Sequence, residues 1–307
     1  MKHHIDPTTD CVFKALLGNP RHRDILIHFL NSITHPVVPI TDVDILNPYN
    51  EKEFVSDKLT VVDVKARDNH DQTYQVEIQL RLTPSLPSRI LYTWSDLYQS
   101  QLESGENFDQ LHPVISIWLL TSVLLPQSPA FHHHFEVWDP AQQVRLLDHC
   151  SIHLLELPKW NKPEHSPLRN EELWFYFFEN AKHWDDLPTE LQTIPEMRKA
   201  MSVLKMFSEK EKNYHLYQSR QNLIREERER ERLFEQRERL FEQKERSLEQ
   251  KERSLEQRER SLEQTALRLQ QELQEKERLF QSMKESDQEK ERLLQLLKQA
   301  GIEPEHS

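Results

Sequence analysis

Two neighbouring stretches of the sequence alternate polar and apolar residues, and their polar positions carry side chains that bind metal ions. Residues 60–67 and 74–81 follow the period of two that is typical of a half-buried β-strand, and the DNHDQ segment between them is rich in turn-forming residues. A hairpin centred near His70 places Asp63 directly across from Glu77, with their β-carbons about 4.5–5.5 Å apart. Two carboxylates that close repel each other unless a cation or a proton neutralises them. The pair therefore predicts a site for a hard divalent cation such as Mg²⁺, which prefers oxygen ligands.

Two more polar side chains belong to the same face of the predicted hairpin. Gln79 follows Glu77 by two residues and is placed to orient a water molecule or to contact a phosphate. Lys65 has the same relation to Asp63 and is placed to supply positive charge to a pentavalent phosphate. The competing interpretation is an ordinary solvated sheet face, because polar outward residues are the norm on half-solvated sheets.

The flanking sequence predicts the elements that must position this hairpin. Thr8 or Thr9 is a suitable cap for a first helix that Gly18 ends, and Pro20 suits the first turn of a second helix. An apolar run with little alternation, at residues 114–120, is typical of a strand that is buried on both faces. The result is an α/β order of α-β-β-β-α-β, with helices at 9–17, 20–33 and 85–102, strands at 38–46, 60–67, 74–81 and 114–120, further strands at 131–138 and 151–157, and a helix at 171–184.

Several motifs along the chain together resemble one nuclease family. The order Asp63, then Glu77-x-Gln79 on the next strand, is similar to the core of the PD-(D/E)XK nucleases. The other matching segments are TDCVFKALLG at 9–18, HFLNSI at 28–33, and RILYTWSDLYQSQLESGENFDQLHPVISIWLL at 89–120. In their order and spacing they resemble the Rpn family of recombination-promoting nucleases, also described as transposases, over residues 9–117 and more weakly over 197–220. The resemblance implies a PD-(D/E)XK restriction-endonuclease-like core that acts on DNA.

The resemblance also assigns roles to individual residues. Asp63 takes the place of the family's acid on the second core strand, and Glu77 and Gln79 take the places of the acid and the amide on its third strand. Asp10, in the first helix, occupies the position where many relatives of this fold add another acidic ligand. The implied site holds Mg²⁺ on Asp63, Glu77 and Asp10. The Lys usual on the third strand is replaced by uncharged Gln79, and Lys65 is the cation that can substitute for it from the neighbouring strand.

Composition argues against several other classes of protein. With three glycines among 307 residues, the chain has no glycine-rich phosphate loop, and we expect no nucleotide cofactor. Its two cysteines, Cys11 and Cys150, form no CxxC motif, which excludes a disulfide framework and suits a reducing cytoplasm. The apolar run at 114–125 is too short to span a bilayer, and the opening MKHHIDPTTD lacks the apolar segment of a signal peptide. A cytoplasmic protein without membrane contact is expected.

The distribution of charge weighs against simple DNA binding. Residues 1–200 contain 28 Asp and Glu against 17 Lys and Arg, a net charge of −11, and the remainder is nearly neutral. Non-specific DNA affinity comes chiefly from cations that meet phosphates. To bind DNA well, the domain therefore needs a local basic patch, a metal ion or a partner, and a metal site offsets part of the local negative charge.

Two other groups of residues invite a functional interpretation. His132, His133 and His134 are consecutive, and neighbours on a strand point to opposite faces, so we expect a solvent-edge strand and no shared metal ion. Arg89 and Gln101 flank a helix that packs near the site in the fold that the resemblance implies. Either can touch DNA, although salt bridges and amide hydrogen bonds are the commoner role of such residues.

From about residue 195 the sequence predicts continuous helix. Between residues 233 and 267 it repeats every seven residues as LFEQRER, LFEQKER, SLEQKER, SLEQRER and SLEQTAL, the heptad pattern of a left-handed coiled coil. The alternate core positions are glutamates in this part, whereas residues 262–297 are richer in apolar positions. We favour a homo-oligomeric coiled coil; the alternative is a lone charged helix that Glu-to-Arg pairs four residues apart stabilise.

These observations predict an organisation and a function. The expected parts are a nuclease-like domain at 1–190, a helical connector at 191–221, a charged heptad-repeat helix at 222–300 and a disordered tail at 301–307. The expected function is Mg²⁺-dependent hydrolysis of DNA phosphodiesters by an endonuclease of the Rpn type. The alternative is a catalytically degraded nuclease fold that binds partners and oligomerises through its coiled coil.

Overall fold

The computed structural model describes residues 3–47, 63–164 and 167–299, without the side chains of Asp63, Lys298 and Gln299. The start of the predicted strand at 60–67 and the predicted tail at 301–307 therefore lie outside the described residues. The chain divides into two compact units, Met1–Arg228 and Glu229–Ser307.

The first unit is built on a six-stranded mixed sheet. Its strands are β1 (Val43–Ile45), β2 (Asp63–Asp68), β3 (Thr73–Gln79), β4 (Val114–Leu120), β5 (His132–Glu136) and β8 (Cys150–Glu156), and a separate pair consists of β6 (Trp138–Asp139) and β7 (Val144–Arg145). The sheet has the order β1-β2-β3-β4-β8-β5. Neighbouring strands are antiparallel at β1-β2-β3, parallel at β3-β4-β8, and antiparallel again where β5 forms the far edge.

Helices and short 3-10 turns connect these strands. The helices are α1 (Asp10–Leu17), α2 (Arg23–Thr34), α3 (Leu86–Gln99), α4 (Asn170–Asn180), α5 (Thr189–Gln192), α6 (Pro195–Glu209) and α7 (Glu211–Gln299). The 3-10 turns are at Pro20–His22, Phe108–Gln110, Leu157–Lys159 and Ala181–His183. Thus the predicted order α-β-β-β-α-β is confirmed in the α1-to-β4 part of the chain.

The sheet is covered on both faces. On one face, Val64, Val76 and Ile117 of the central strands pack into the larger core together with α1, α2, α4 and α6. On the other face, a smaller core joins α3 to Trp118 of β4. All seven residues of β4 are buried, which confirms the prediction that this strand is covered on both sides.

Two boundaries differ from the sequence-based prediction. The strand predicted at 38–46 is reduced to the three residues of β1. Pro39 has no N–H to donate to a ladder, and Val38 before it is exposed. The helix predicted from Pro20 begins with a 3-10 turn, and α2 itself starts at Arg23.

The first turns of α7 belong to the first unit. Arg220 and Ile224 are buried there, and Glu227 forms an ion pair of 3.1 Å with Arg81. In the second unit, α7 exposes apolar side chains that recur every seven residues, namely Phe234, Phe241, Leu248, Leu255, Leu262 and Leu269. Among the described residues, no helix has the length and apolar character needed to cross a bilayer.

Candidate active site

The hairpin of β2 and β3 has the register that the sequence predicts. Asp63 is paired with Glu77, and Lys65 is paired with Gln75. Residues that are directly opposed on antiparallel strands point to the same face of the sheet. The backbone therefore brings the two predicted strand acids to adjacent positions. Because the side chain of Asp63 lies outside the description, the geometry of the site is built from Glu77.

Glu77 is buried beneath α3. It is 1 % exposed; its Oε1 accepts a charged hydrogen bond from Nη2 of Arg89. Its Oε2 accepts a hydrogen bond of 3.3 Å from the side-chain amide of Gln75. A carboxylate this deeply buried needs charged or hydrogen-bonding partners to remain ionised. The interpretation of this face as an ordinary solvated one is therefore wrong at Glu77.

A buried chain of hydrogen bonds holds Gln75 in place. The indole N–H of Trp118 donates to Oγ of Ser116 at 2.8 Å, and that hydroxyl donates to Oε1 of Gln75 at 3.2 Å. With its oxygen engaged by Ser116, the Gln75 amide is left with its NH₂ group facing Glu77. Gln75, Ser116 and Trp118 are all buried. These three residues fix the β3 and β4 side of the site, and the sequence analysis did not predict their role. The available signal was the spacing of Gln75, which precedes Glu77 by two residues and so shares its face of the sheet.

Arg89 reaches the site from the first turns of α3. Leu86 and Ile90 anchor this helix in the smaller core, which leaves Arg89 beside the sheet. Its guanidinium lies 5.6 Å from the centre of the Trp118 ring, and its Nη1 is 3.4 Å from Oε1 of Gln79. The Arg89 side chain keeps 32 % of its surface exposed. It therefore connects the buried carboxylate of Glu77 with solvent.

The other two predicted catalytic residues lie on the same sheet face as Glu77. Gln79 ends β3, and its side-chain amide donates to the carbonyl of Arg81 at 2.6 Å. Lys65 lies on β2, diagonally across from Glu77, and its side chain is half-buried. The backbone N–H of Lys65 donates to Oδ1 of Asn47 at 2.6 Å.

Asp10 has a different environment from the two strand acids. It is buried in α1, where its Oδ1 accepts from the backbone N–H of Cys11 at 2.7 Å and its Oδ2 lies 3.3 Å from Nε of Arg220. Burial raises the pKa of Asp10 above its usual range, and the neighbouring Arg220 opposes that rise. The described contacts of Asp10 thus join α1 to α7.

The residues present suit a divalent cation in the chemistry of their donors. Glu77 supplies a buried carboxylate, the backbone places Asp63 opposite it, and a cationic group, Arg89, already lies against one carboxylate oxygen. Among the side chains that the structure describes, no group of three His, Cys, Asp or Glu residues is arranged to hold a metal. A site centred on Glu77 therefore depends on Asp63, whose side chain is outside that set.

The three consecutive histidines lie on β5 at the edge of the sheet, as predicted. Nδ1 of His132 donates to Oε2 of Glu171 at 2.9 Å, and its Nε2 shares a hydrogen bond of 2.9 Å with Nδ1 of His153 on β8. His133 points to the other face, where it lies 3.3 Å from Glu156. Burial and the neighbouring histidines lower the pKa of His153 to about 2. The buried ring of His153 is therefore neutral at physiological pH, and hydrogen bonds hold it in the sheet.

Gln101 and Arg89 have the partners that sequence reasoning considered commoner than DNA. The side chain of Gln101 donates to the carbonyl of His112 at 3.0 Å and accepts from its N–H at 2.9 Å. Arg89 forms the ion pair with Glu77. Only Arg89 of the two thereby touches a predicted metal ligand.

Comparison with known proteins identifies the family of the chain. A family model described as PD-(D/E)XK nuclease family transposase matches residues 7–232, which includes every predicted site residue. No match was found among curated proteins or among solved structures. The matched segment covers most of the 307 residues. The chain therefore belongs to the PD-(D/E)XK nuclease family transposases.

Proposed function

We propose that this chain is a Mg²⁺-dependent DNA endonuclease of the Rpn type in which Asp63 and Glu77 hold the metal. Membership of the family suggests a hydrolase that acts on DNA, and PD-(D/E)XK nucleases generally use divalent metal ions. The observation that carries the proposal is the buried Glu77 carboxylate, placed across from Asp63 and compensated by a cationic side chain. A buried carboxylate placed opposite a second acid is a candidate for a functional site, because its burial is costly and its charge has to be compensated.

The two acids and their neighbours have separable tasks. Asp63 and Glu77 accept the cation, and Gln75 holds Glu77 in one orientation through its hydrogen bond of 3.3 Å. When bound, the cation lowers the pKa of a coordinated water and stabilises negative charge on the phosphate. The charge of the ion also offsets the acidity of the domain where the DNA backbone must approach.

Gln79 and Lys65 are the residues we assign to the water or the scissile group. The Gln79 amide donates to the Arg81 carbonyl, so its oxygen is the atom that faces Arg89 and the site. Lys65 carries the positive charge that Gln79 lacks. If Lys65 performs this role, Lys65→Ala should lower turnover far more than Gln79→Ala. Equal and negligible effects of the two substitutions on turnover would show that neither residue contributes to catalysis.

Asp10 remains a predicted third acidic ligand. To reach the cation, its carboxylate would have to exchange the contact with Arg220. Asp10→Asn should then raise the Mg²⁺ concentration that cleavage requires, without abolishing cleavage. An unchanged Mg²⁺ titration in a folded Asp10→Asn variant would restrict Asp10 to its ion pair with α7.

The assembly we propose is a homo-oligomer formed through the heptad-repeat part of α7. Its exposed apolar residues recur every seven positions on one stripe of a charged helix, which is the pattern of a coiled-coil seam. Within the helix, Glu235–Arg239 and Glu242–Arg246 form ion pairs of 3.7 and 3.6 Å. Such pairs contribute about 0.2–0.5 kcal/mol each to an isolated helix, so they also support the alternative of a solitary helix.

The competing function is a degraded nuclease fold that only binds partners. The uncharged Gln79 at the position of the usual Lys favours it. A plasmid-nicking assay with Mg²⁺ separates the two functions, using the wild type, Asp63→Ala, Glu77→Ala and a matched control. Asp44→Ala is that control, because Asp44 is an exposed acid on the neighbouring strand β1.

The endonuclease proposal predicts nicking that requires Mg²⁺, is lost in Asp63→Ala and Glu77→Ala, and persists in Asp44→Ala. Equal residual nicking by the wild type and all three variants would instead favour the binding module.

A further inference from the structure

Arg89 is held at the candidate site by contacts on several sides. Its Nη2 donates to Oε1 of Glu77, its Nη1 is 3.4 Å from Oε1 of Gln79, and its guanidinium lies 5.6 Å from the centre of the Trp118 ring. The position of this cation is therefore specified by the fold.

The guanidinium of an arginine is charged at every physiological pH. Arg89 therefore compensates the charge of Glu77 whenever the two are in contact. Glu77 is 1 % exposed, and an uncompensated carboxylate there is strongly unfavourable. In the absence of a metal ion, Arg89 thus supplies positive charge to the acid that is proposed to bind one.

The Arg89 side chain is also accessible from solvent. The Arg89 side chain is 32 % exposed, in contrast to the buried acid that it contacts. A guanidinium presents several N–H donors in a planar fork that matches phosphate oxygens. A guanidinium in this position has the donors to bind a phosphate as well as a carboxylate.

We propose that Arg89 is an internal counter-ion that occupies Glu77 until a divalent cation binds, and then contacts the DNA phosphate. This inference rests on the proposed function, because it needs Glu77 to be a metal ligand. The cation takes over the compensation of Glu77, and Arg89 brings to the phosphate the positive charge that Gln79 cannot supply. No covalent bond changes in this exchange, and the charge of each side chain is unchanged.

Exchange of Arg89 for a cation at Glu77 has a consequence that a purely structural role of Arg89 would not have. If Arg89 competes with the cation for Glu77, its removal should tighten cation binding while it slows cleavage. Without Arg89, the metal-free state loses a charged hydrogen bond to Glu77 and becomes less stable. The metal-bound state loses the repulsion between Arg89 and the cation and becomes more stable. Both changes tighten cation binding, and the loss of one charge-assisted hydrogen bond alone corresponds to about tenfold. A residue that merely supports the fold would weaken binding when it is replaced.

The test is Mn²⁺ binding by isothermal titration calorimetry at pH 8, together with plasmid nicking, on the full chain. The variants are Arg89→Met, which removes the charge, and Arg89→Lys, which keeps it. Arg23→Met is the matched control, because Arg23 forms an exposed ion pair of 3.0 Å with Asp42 away from the candidate site. Circular dichroism checks the fold of each variant. If Arg89→Met fails to fold, Arg89→Gln provides the same comparison with a polar side chain.

We expect Arg89→Met to bind Mn²⁺ about tenfold more tightly and to nick about 100-fold more slowly, as when one preorganised donor to a developing charge is lost. Arg89→Lys should bind Mn²⁺ like the wild type and recover part of the nicking rate. Equal or weaker Mn²⁺ binding by a folded Arg89→Met variant would overturn the inference while leaving a cation-binding, DNA-cleaving wild type intact. A wild type that binds no Mn²⁺ and does not nick DNA would overturn both this inference and the proposed function.

Discussion

Exclusion of a proton from the buried His153 beside β5 should make the stability of the first unit depend on pH below neutrality. His153 is 3 % exposed, its Nδ1 lies 2.9 Å from Nε2 of His132, and its Nε2 lies 3.0 Å from Oγ of Ser151. Burial, followed by unfavourable electrostatic interactions with His134, His132 and His35, lowers the pKa of His153 from 6.5 to about 2. Between these two values the unfolded chain binds a proton that the folded chain excludes. The stabilising effect of the neutral ring is thus fully present above pH 6.5 and declines as the pH falls below it.

The size of this effect follows from the two pKa values. One unit of pKa difference corresponds to about 1.4 kcal/mol, so at pH 5 the excluded proton costs the folded state about 2 kcal/mol relative to pH 7.5. The assay is urea unfolding of the chain at both pH values, with His153→Gln as the test variant. His153→Gln should lower the stability at pH 7.5 but lose about 2 kcal/mol less than the wild type on going to pH 5.

Ser151→Ala is the control for this experiment. It removes a hydrogen-bonding partner of His153 and keeps the titrating ring, so it should follow the pH dependence of the wild type at a lower overall stability. Identical pH dependence of the wild type and His153→Gln would refute the reasoning, because the cluster would then not exclude a proton.

Three further perturbations have expected outcomes. Arg220→Met should lower the free energy of unfolding by about 3–5 kcal/mol, because it leaves the buried Asp10 without its cationic neighbour. Urea unfolding measures this change, and a loss below about 1 kcal/mol would show that protonation of Asp10 compensates for the lost cation. A chain that ends after Arg228 should remain folded and monomeric while the full chain self-associates, which light scattering at micromolar concentration decides; a monomeric full chain would leave a solitary helix. Gln79→Lys should preserve or raise the nicking rate if Lys65 does not already supply the missing charge, and a folded variant with sharply lower activity would contradict the proposed place of Gln79 in the site.

The hairpin was predictable because its information is local. The alternation in β2 and β3 and a turn centred at His70 fix which residues pair, and the structure has Asp63 opposite Glu77 as that arithmetic requires. The apolar run of β4 likewise predicted a strand covered on both faces. Period and turn position are properties of neighbouring residues, so a single sequence contains them.

The environment of Glu77 was not predictable in the same way. Its burial depends on how α3 packs over the sheet, and its compensation depends on Arg89, twelve residues away along the chain. Alternation shows that Gln75 and Glu77 share a face, but it does not show that the face is covered. Tertiary packing decides whether such a face is solvated.

The long helix shows a similar division. Continuous helix and exposed heptad residues follow from the repeat, and both are present in α7. The burial of Arg220 against Asp10 joins residues from opposite ends of the first unit. No local pattern in α7 distinguishes Arg220 from the many exposed arginines that follow it.

A crystal of the protein soaked in Mn²⁺ tests the central claim most directly, because anomalous scattering locates the ion without reference to activity. The account predicts an anomalous peak between Asp63 and Glu77, within about 2.0–2.3 Å of a carboxylate oxygen of each, with Arg89 withdrawn from Glu77. A wild-type crystal with Arg89 still on Glu77 and no ion there, at Mn²⁺ concentrations that support cleavage, would contradict it.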